Sequence, residues 1–148
     1  MADTAVGAAA AAGEVPLSTA ERRLRVTAVV FAVAVVVHGA DHLRRGSDVV
    51  TEVVRDAGAA QAALVAFAVV LVFRRHRLAA LVAVIVGFLS AFGFSAAHLL
   101  PQWSVFSDPF TGAVVAPGVT AFSWFAAAFD IAAGLAFAIA GLQLMREE

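Results

Sequence analysis

The hydrophobic positions of this chain are gathered into four long runs, each bounded by charged residues or by proline and glycine. The apolar core of a bilayer is about 30 Å thick and takes roughly 20 apolar residues as a helix. The runs therefore predict four transmembrane helices, at about 24–43, 47–73, 78–100 and 119–145. Ser47 is the expected N-cap of the second helix, and Pro101 should end the third, because proline cannot continue a helix.

These four segments predict an all-α fold, a four-helix transmembrane bundle formed by one domain over residues 21–148. Residues 1–20 are rich in alanine, include Gly7, Gly13 and Pro16, and show no amphipathic period, so we expect a disordered cytoplasmic tail. We expect the first span to be retained, because His38 stands where a signal-peptide cleavage site needs a small residue.

The composition agrees with a membrane protein and narrows the chemistry. Hydrophobic residues make up 62% of the chain and charged residues only 14%, whereas soluble domains are about half apolar and a quarter charged. The formal net charge of -1 argues against a nucleic-acid partner, which needs a basic surface. Cysteine is absent, so any metal would be held by imidazole or oxygen ligands.

The arginines are distributed unevenly between the two ends of the predicted helices. One end carries Arg22, Arg23, Arg25, Arg74, Arg75, Arg77 and Arg146, and the other carries only Arg44, Arg45 and Arg55. Because arginine is retained preferentially on the cytoplasmic side, we expect an integral protein of the plasma (inner) membrane with both termini in the cytoplasm.

The ionisable residues within the spans lie in the half of the bundle away from the termini. His38, Asp41 and His42 project from one face of the first helix, and His98 lies near the end of the third. Asp130 lies about eleven residues into the fourth span, roughly 16 Å from its outer end. Such groups cost about 2.5–3.5 kcal/mol each near the bilayer centre, so their gathering predicts a shared polar pocket or metal site.

Small residues form a stripe on each of the last two helices. The stripes consist of Gly87, Ala91 and Ser95 before His98, and of Ser123, Ala126, Gly134 and Ala138 around Asp130. Because small residues let helices approach closely, we expect His98 and Asp130 to face the bundle interior. The same faces would also permit a homo-oligomer.

The leading hypothesis is a metal site formed by His38, His42 and His98, with Asp41 or Asp130 as an oxygen ligand or orienting group. The ion could be iron, copper, zinc or manganese, and a haem held by His38 and His98 is the variant. The expected activity is redox or metal-assisted chemistry on a lipophilic substrate such as a quinone or isoprenoid. In the alternative interpretation, these histidines only hydrogen-bond to carboxylates or backbone.

Two other function classes remain open from the sequence. One is a metal-free isomerase or cyclase acting on an isoprenoid-like substrate, with Asp130 as proton donor and Asp41 or a histidine as acceptor, the two aspartates being the candidate catalytic residues. The other is a non-enzymatic accessory or lipid-binding subunit, in which Asp130 hydrogen-bonds to Ser95 or Ser123 and locks two helices together. The sequence does not decide whether the protein is an enzyme.

Further polar and aromatic residues are candidates for substrate binding. They are Glu52, Arg55 and Asp56 at the outer end of the second helix, together with Ser95, Ser123 and Trp103. Glu52 and Arg55 could instead form a local ion pair, and Arg55 could hold an anionic headgroup. The segment 102–118 is too apolar for a solvated linker, so we expect it to fold over the pocket as a lid that lets Asp108 reach inside, or to be buried at the interface.

Overall fold

The computed structural model describes residues 16–147, which form four long helices and no strand. The helices are α1 (Thr19–Arg45), α2 (Glu52–Phe73), α3 (Ala79–Phe94) and α4 (Ala121–Met145), and a π-helical turn, Ser95–Leu99, continues α3. The predicted all-α four-helix architecture is confirmed. Residues 1–15, most of the predicted tail, lie outside the described residues.

Two helix starts differ from the sequence prediction, and local capping explains both. Ser18 and Glu21 form a reciprocal capping box, so α1 begins at Thr19, inside the segment predicted as tail. Thr51, and not Ser47, is the N-cap of α2, and its hydroxyl accepts a hydrogen bond from Val54 N. The residues between α1 and α2 form a turn that starts at Gly46, whose φ of +92° favours glycine.

All four helices are long and apolar enough to cross a membrane. Many of their large apolar side chains point outward, as in Val36, which is 71% exposed, and Phe92, which is 69% exposed. Outward-facing valine and phenylalanine are unfavourable in water and favourable in lipid. These observations indicate a membrane protein.

The predicted small-residue stripes meet at the interface between α3 and α4. The contact is so close that a Cβ atom added to Gly87 would lie 2.5 Å from the carbonyl oxygen of Gly134. His98 and Asp130 follow on these stripes and are buried, with exposures of 1% and 0%. The expectation that both residues face the bundle interior is therefore confirmed.

The segment after α3 folds back over the end of the helix. Backbone carbonyls at a helix C-terminus lack intrahelical partners, and here four in a row accept hydrogen bonds from this segment. The bonds run from Trp103 Nε1 to Ala96, from Asp108 N to Ala97, from Phe110 N to His98 and from Thr111 Oγ1 to Leu99. Segment 102–118, which we call the covering segment, thus caps the end of α3. We call the end of the bundle that contains His38, His42, His98 and the covering segment the histidine end.

Candidate metal centre

Three of the four histidines of the chain come together at the histidine end. Each of His38, His42 and His98 offers a ring nitrogen, and these nitrogens lie within 4.8 Å of one another. The ring centroid of His38 is 4.7 Å from that of His42 and 5.0 Å from that of His98. Among the described residues, this is the only group of three histidine, aspartate or glutamate side chains with such spacing.

Helix geometry explains how the three rings meet. His38 and His42 are four residues apart on α1, so their side chains lie one above the other on the face turned towards the bundle. His98 lies in the π-helical turn, where the wider backbone rotates the side chains relative to those of α3. π-helical turns inside or after α-helices are frequent at functional sites.

The hydrogen bonding of these rings leaves nitrogens available for a ligand. His98 Nδ1 lies 2.9 Å from the backbone oxygen of Asp108, which can only accept, so Nδ1 carries the proton and Nε2 keeps its lone pair. Neither ring nitrogen of His38 has a hydrogen-bond partner, and Nε2 of His42 has none either. A buried polar group without a partner costs about 1–3 kcal/mol, which a bound ligand would offset.

A buried ion pair lies directly beside the histidines. The guanidinium of Arg45 donates two hydrogen bonds to the Asp108 carboxylate, at 2.5 and 2.6 Å, and a third to Pro117 O at 3.1 Å. Asp108 Oδ2 lies 3.6 Å from His98 Nδ1 and 3.8 Å from His42 Nε2. Asp108 therefore reaches the site as predicted, whereas the sequence analysis placed Arg45 only among the arginines at this end of the helices.

Asp41 is engaged elsewhere and is not one of the grouped ligands. Its Oδ1 accepts hydrogen bonds from Arg44, at 2.8 and 3.1 Å, and from Ser123 Oγ, at 3.0 Å. Ser123 is thus a partner of Asp41, and the predicted bond from Ser123 to Asp130 is wrong. The network joins the end of α1 to the start of α4.

Asp130 is fully buried and makes no hydrogen bond through either carboxyl oxygen. The alternative prediction of a bond to Ser95 is therefore also wrong. At about 1.5 Å per residue, Asp130 lies about 14 Å from the start of α4. Within residues 16–147, the unpartnered buried side-chain atoms belong only to His38, His42 and Asp130. All three residues lie in the half of the bundle that includes the histidine end.

Among residues 16–147, the remaining candidate residues form no hydrogen bond or ion pair with the three histidines. Glu52, Arg55 and Asp56 are exposed on α2, and residues 16–147 contain no ion pair between Glu52 and Arg55. Ser95 is half-buried in the π-helical turn. Trp103 is 55% exposed, and its indole N–H donates to Ala96 O, so it anchors the covering segment.

The spacing of the three ring nitrogens can be compared with that of a mononuclear metal site. In a tetrahedral zinc site with Zn–N bonds of about 2.0–2.1 Å, ligand nitrogens are separated by roughly 3.4 Å, which small side-chain rotations would reach here. The ring of Phe94 packs 4.6 Å from the His38 ring and 6.0 Å from the His98 ring, centroid to centroid. Phe94 thus packs against both of the histidines that the haem variant of the prediction would use.

A groove of about 500 Å³ opens beside the candidate site. Its walls are largely apolar and come from the start of α2 and from the covering segment, with Val54, Val105 and Val114 as examples. Asp108 forms part of the groove wall and also lies 3.8 Å from His42 Nε2, so this residue connects the groove with the histidines.

Comparison with known proteins gives no match among protein-family models, curated proteins or solved structures. The geometry of the three histidines therefore carries the proposal that follows.

Proposed function

We propose that this membrane protein binds one divalent transition-metal ion through His38, His42 and His98. One observation carries the proposal: three histidines bring their ring nitrogens within 4.8 Å of one another, at a buried position where the His38 nitrogens make no hydrogen bond. Neutral imidazoles without thiolate suit zinc, copper, iron and manganese. Three protein ligands leave at least one coordination position open, which is typical of catalytic sites.

We further propose that the site performs redox or metal-assisted chemistry on a lipophilic substrate. Two features support this: the open coordination position and the apolar groove whose wall includes Asp108. A groove of this size matches small-molecule pockets, which are mostly apolar with a few polar groups. The arginine distribution supports an orientation with the histidine end on the extracytoplasmic side.

The metal content of the purified protein tests the proposal. We expect about one zinc, copper, iron or manganese ion per chain by mass spectrometry of the metals, and loss of that ion in His38→Ala and His98→Ala. His76→Ala is the matched control, because His76 is exposed at the other end of the bundle and its Nδ1 accepts a bond from Leu78 N.

Full metal content in His98→Ala, or a wild-type protein that binds none of these ions after chelation and reloading, would contradict the proposal. A circular dichroism spectrum unchanged between wild type and His98→Ala would show that a loss of metal is not a loss of fold.

A second candidate function, acid–base catalysis by Asp130, is supported by the buried carboxyl group that lacks any partner. A side chain kept for chemistry and not for structure is expected to destabilise the fold. We expect Asp130→Ala to raise the free energy of unfolding by about 1–2 kcal/mol, since it removes an unsatisfied buried group. Denaturation in detergent, followed by tryptophan fluorescence, measures this.

Asp41→Ala is the control for this substitution. The Asp41 carboxylate accepts bonds from Arg44 and Ser123, so its removal should lower stability. If Asp130→Ala were destabilising to the same extent, Asp130 would have a structural partner and the acid–base proposal would lose its support.

A further inference from the structure

We infer that the metal ion at His38, His42 and His98 takes a monoanionic ligand from outside the protein at its open position. This inference rests on the proposed function and names the class of molecule that the site binds. It follows from an inventory of the charges around the three rings, in which Asp108 and Asp41 are each paired with an arginine and Asp130 is not among the grouped ligand atoms.

The nearest carboxylate, Asp108, is already neutralised. Both of its oxygens accept hydrogen bonds from Arg45, whose side chain is completely buried. The single negative charge of Asp108 balances the buried positive charge of Arg45, so coordination by a remaining lone pair of Asp108 would still leave the charge of the ion uncompensated, and unpaired buried charge is strongly unfavourable. Asp108 therefore orients His98 through its backbone oxygen and leaves the net charge of the site at zero.

The second carboxylate on this face, Asp41, is neutralised in the same way. Arg44 and the hydroxyl of Ser123 hold its Oδ1. Asp130 lies deeper along α4 and does not belong to the group of ligand atoms that could hold an ion, which the three histidines form. The acids on α2, Glu52 and Asp56, are exposed.

A divalent ion held by three neutral imidazoles would thus bring two uncompensated positive charges into a buried site. Buried charge is tolerated when it is paired, so the open position favours an anion. The shared chemistry is a single negatively charged oxygen or nitrogen donor, such as a carboxylate, the ionised hydroxyl of a lipophilic molecule, or hydroxide. The wall of the groove includes Asp108, whose Oδ2 lies 3.6 Å from His98 Nδ1 and 3.8 Å from His42 Nε2.

Azide binding to the copper-loaded protein tests this inference. We load the full chain in detergent with Cu²⁺, remove the excess, and titrate with azide. The expected result is a new charge-transfer absorption that saturates at one azide per copper, with a changed paramagnetic resonance spectrum. The triple variant His38→Ala/His42→Ala/His98→Ala controls for copper in the micelle and should show neither signal.

Copper stoichiometry tests the metal site, and the azide signals test the external anion, so the two can fail separately. If copper binds stoichiometrically but azide produces neither signal, the external anion is overturned while the metal site stands. If no copper binds, both are overturned.

Two variants test whether the protein itself supplies the negative charge. Arg45→Met/Asp108→Leu removes the ion pair without changing the net charge, and Asp130→Asn removes the deeper carboxyl. We expect the copper affinity of both variants to stay within about tenfold of wild type, which is the smaller effect known for residues that only orient metal ligands. Both variants should also keep the azide absorption. Loss of copper binding in either variant, while its fold persists by circular dichroism, would assign the charge to that carboxylate and overturn the inference.

Competition between azide and two carboxylates distinguishes the sources of the anion. Acetate and decanoate present the same donor atoms, and only decanoate has a tail that could occupy the groove. Stronger displacement of azide by decanoate indicates the anionic head of a lipophilic molecule, and equal displacement indicates a small anion. Failure of both carboxylates to displace azide would overturn the carboxylate and leave an ionised hydroxyl, hydroxide or a nitrogen donor as the anion.

Discussion

Arg45→Met is expected to lower the free energy of unfolding by about 3–5 kcal/mol, the usual effect of removing one partner of a buried ion pair. Arg45 holds Asp108 through two hydrogen bonds and Pro117 through a third, so its loss leaves a buried carboxylate without compensation. The same bonds fix the covering segment to the end of α1. Unfolding in detergent, followed by the fluorescence of Trp103 and Trp124, measures the change.

A second substitution separates the charge from the packing. Arg45→Met/Asp108→Leu should recover most of the lost stability, because well-packed apolar residues often replace a buried ion pair without loss. Arg55→Met is the control, since Arg55 is exposed on α2 near the same end of the bundle. A loss below about 1 kcal/mol in Arg45→Met, the range of exposed pairs, would show that the pair is not buried as described.

Gly87→Val is expected to destabilise the bundle by at least about 1–3 kcal/mol, the range for overpacking a close contact. A Cβ atom at Gly87 would lie 2.5 Å from Gly134 O and 2.8 Å from Ala138 N. Both atoms belong to the backbone of α4 and cannot rotate away, so α3 and α4 must separate. The same unfolding assay in detergent measures the loss.

Gly93→Val is the matched control on the same helix. Apart from the backbone of its own helix and its chain neighbours, no atom lies within 4 Å of a Cβ built at Gly93, which is exposed. Its unfolding free energy should stay close to that of wild type. Equal losses at Gly87 and Gly93 would mean that valine acts through helix propensity and not through the α3–α4 contact.

The fold could be predicted from the sequence because one physical requirement dominates it. A chain that crosses lipid must bond its backbone internally over about 20 residues, so apolar runs of that length specify helices. The exact helix starts depend on local capping. Ser18 and Glu21 cap α1, and Thr51, through its bond with Val54 N, caps α2 in place of the predicted Ser47.

The candidate site could be predicted only in part. The spacing of His38 and His42 placed both rings on one face of α1, and the small-residue stripe placed His98 on the interior side of its helix. The π-helical turn that carries His98 has no comparable sequence signature. The Asp108 partner of Arg45 was also hidden, because 63 positions separate the two residues in the chain.

The sequence by itself determined the class of protein, the number of helices and the half of the bundle that carries the histidines. These properties depend on hydrophobicity and on periodicity along a single helix, which are local. The tertiary structure decided which polar groups are neutralised by a partner and which are left without one. Arg45 and Asp108 satisfy each other, as do Arg44 and Asp41, while His38 and Asp130 remain without hydrogen bonds. Pairing depends on distances between helices and on the path of the covering segment, and those are set by the packing of the whole bundle.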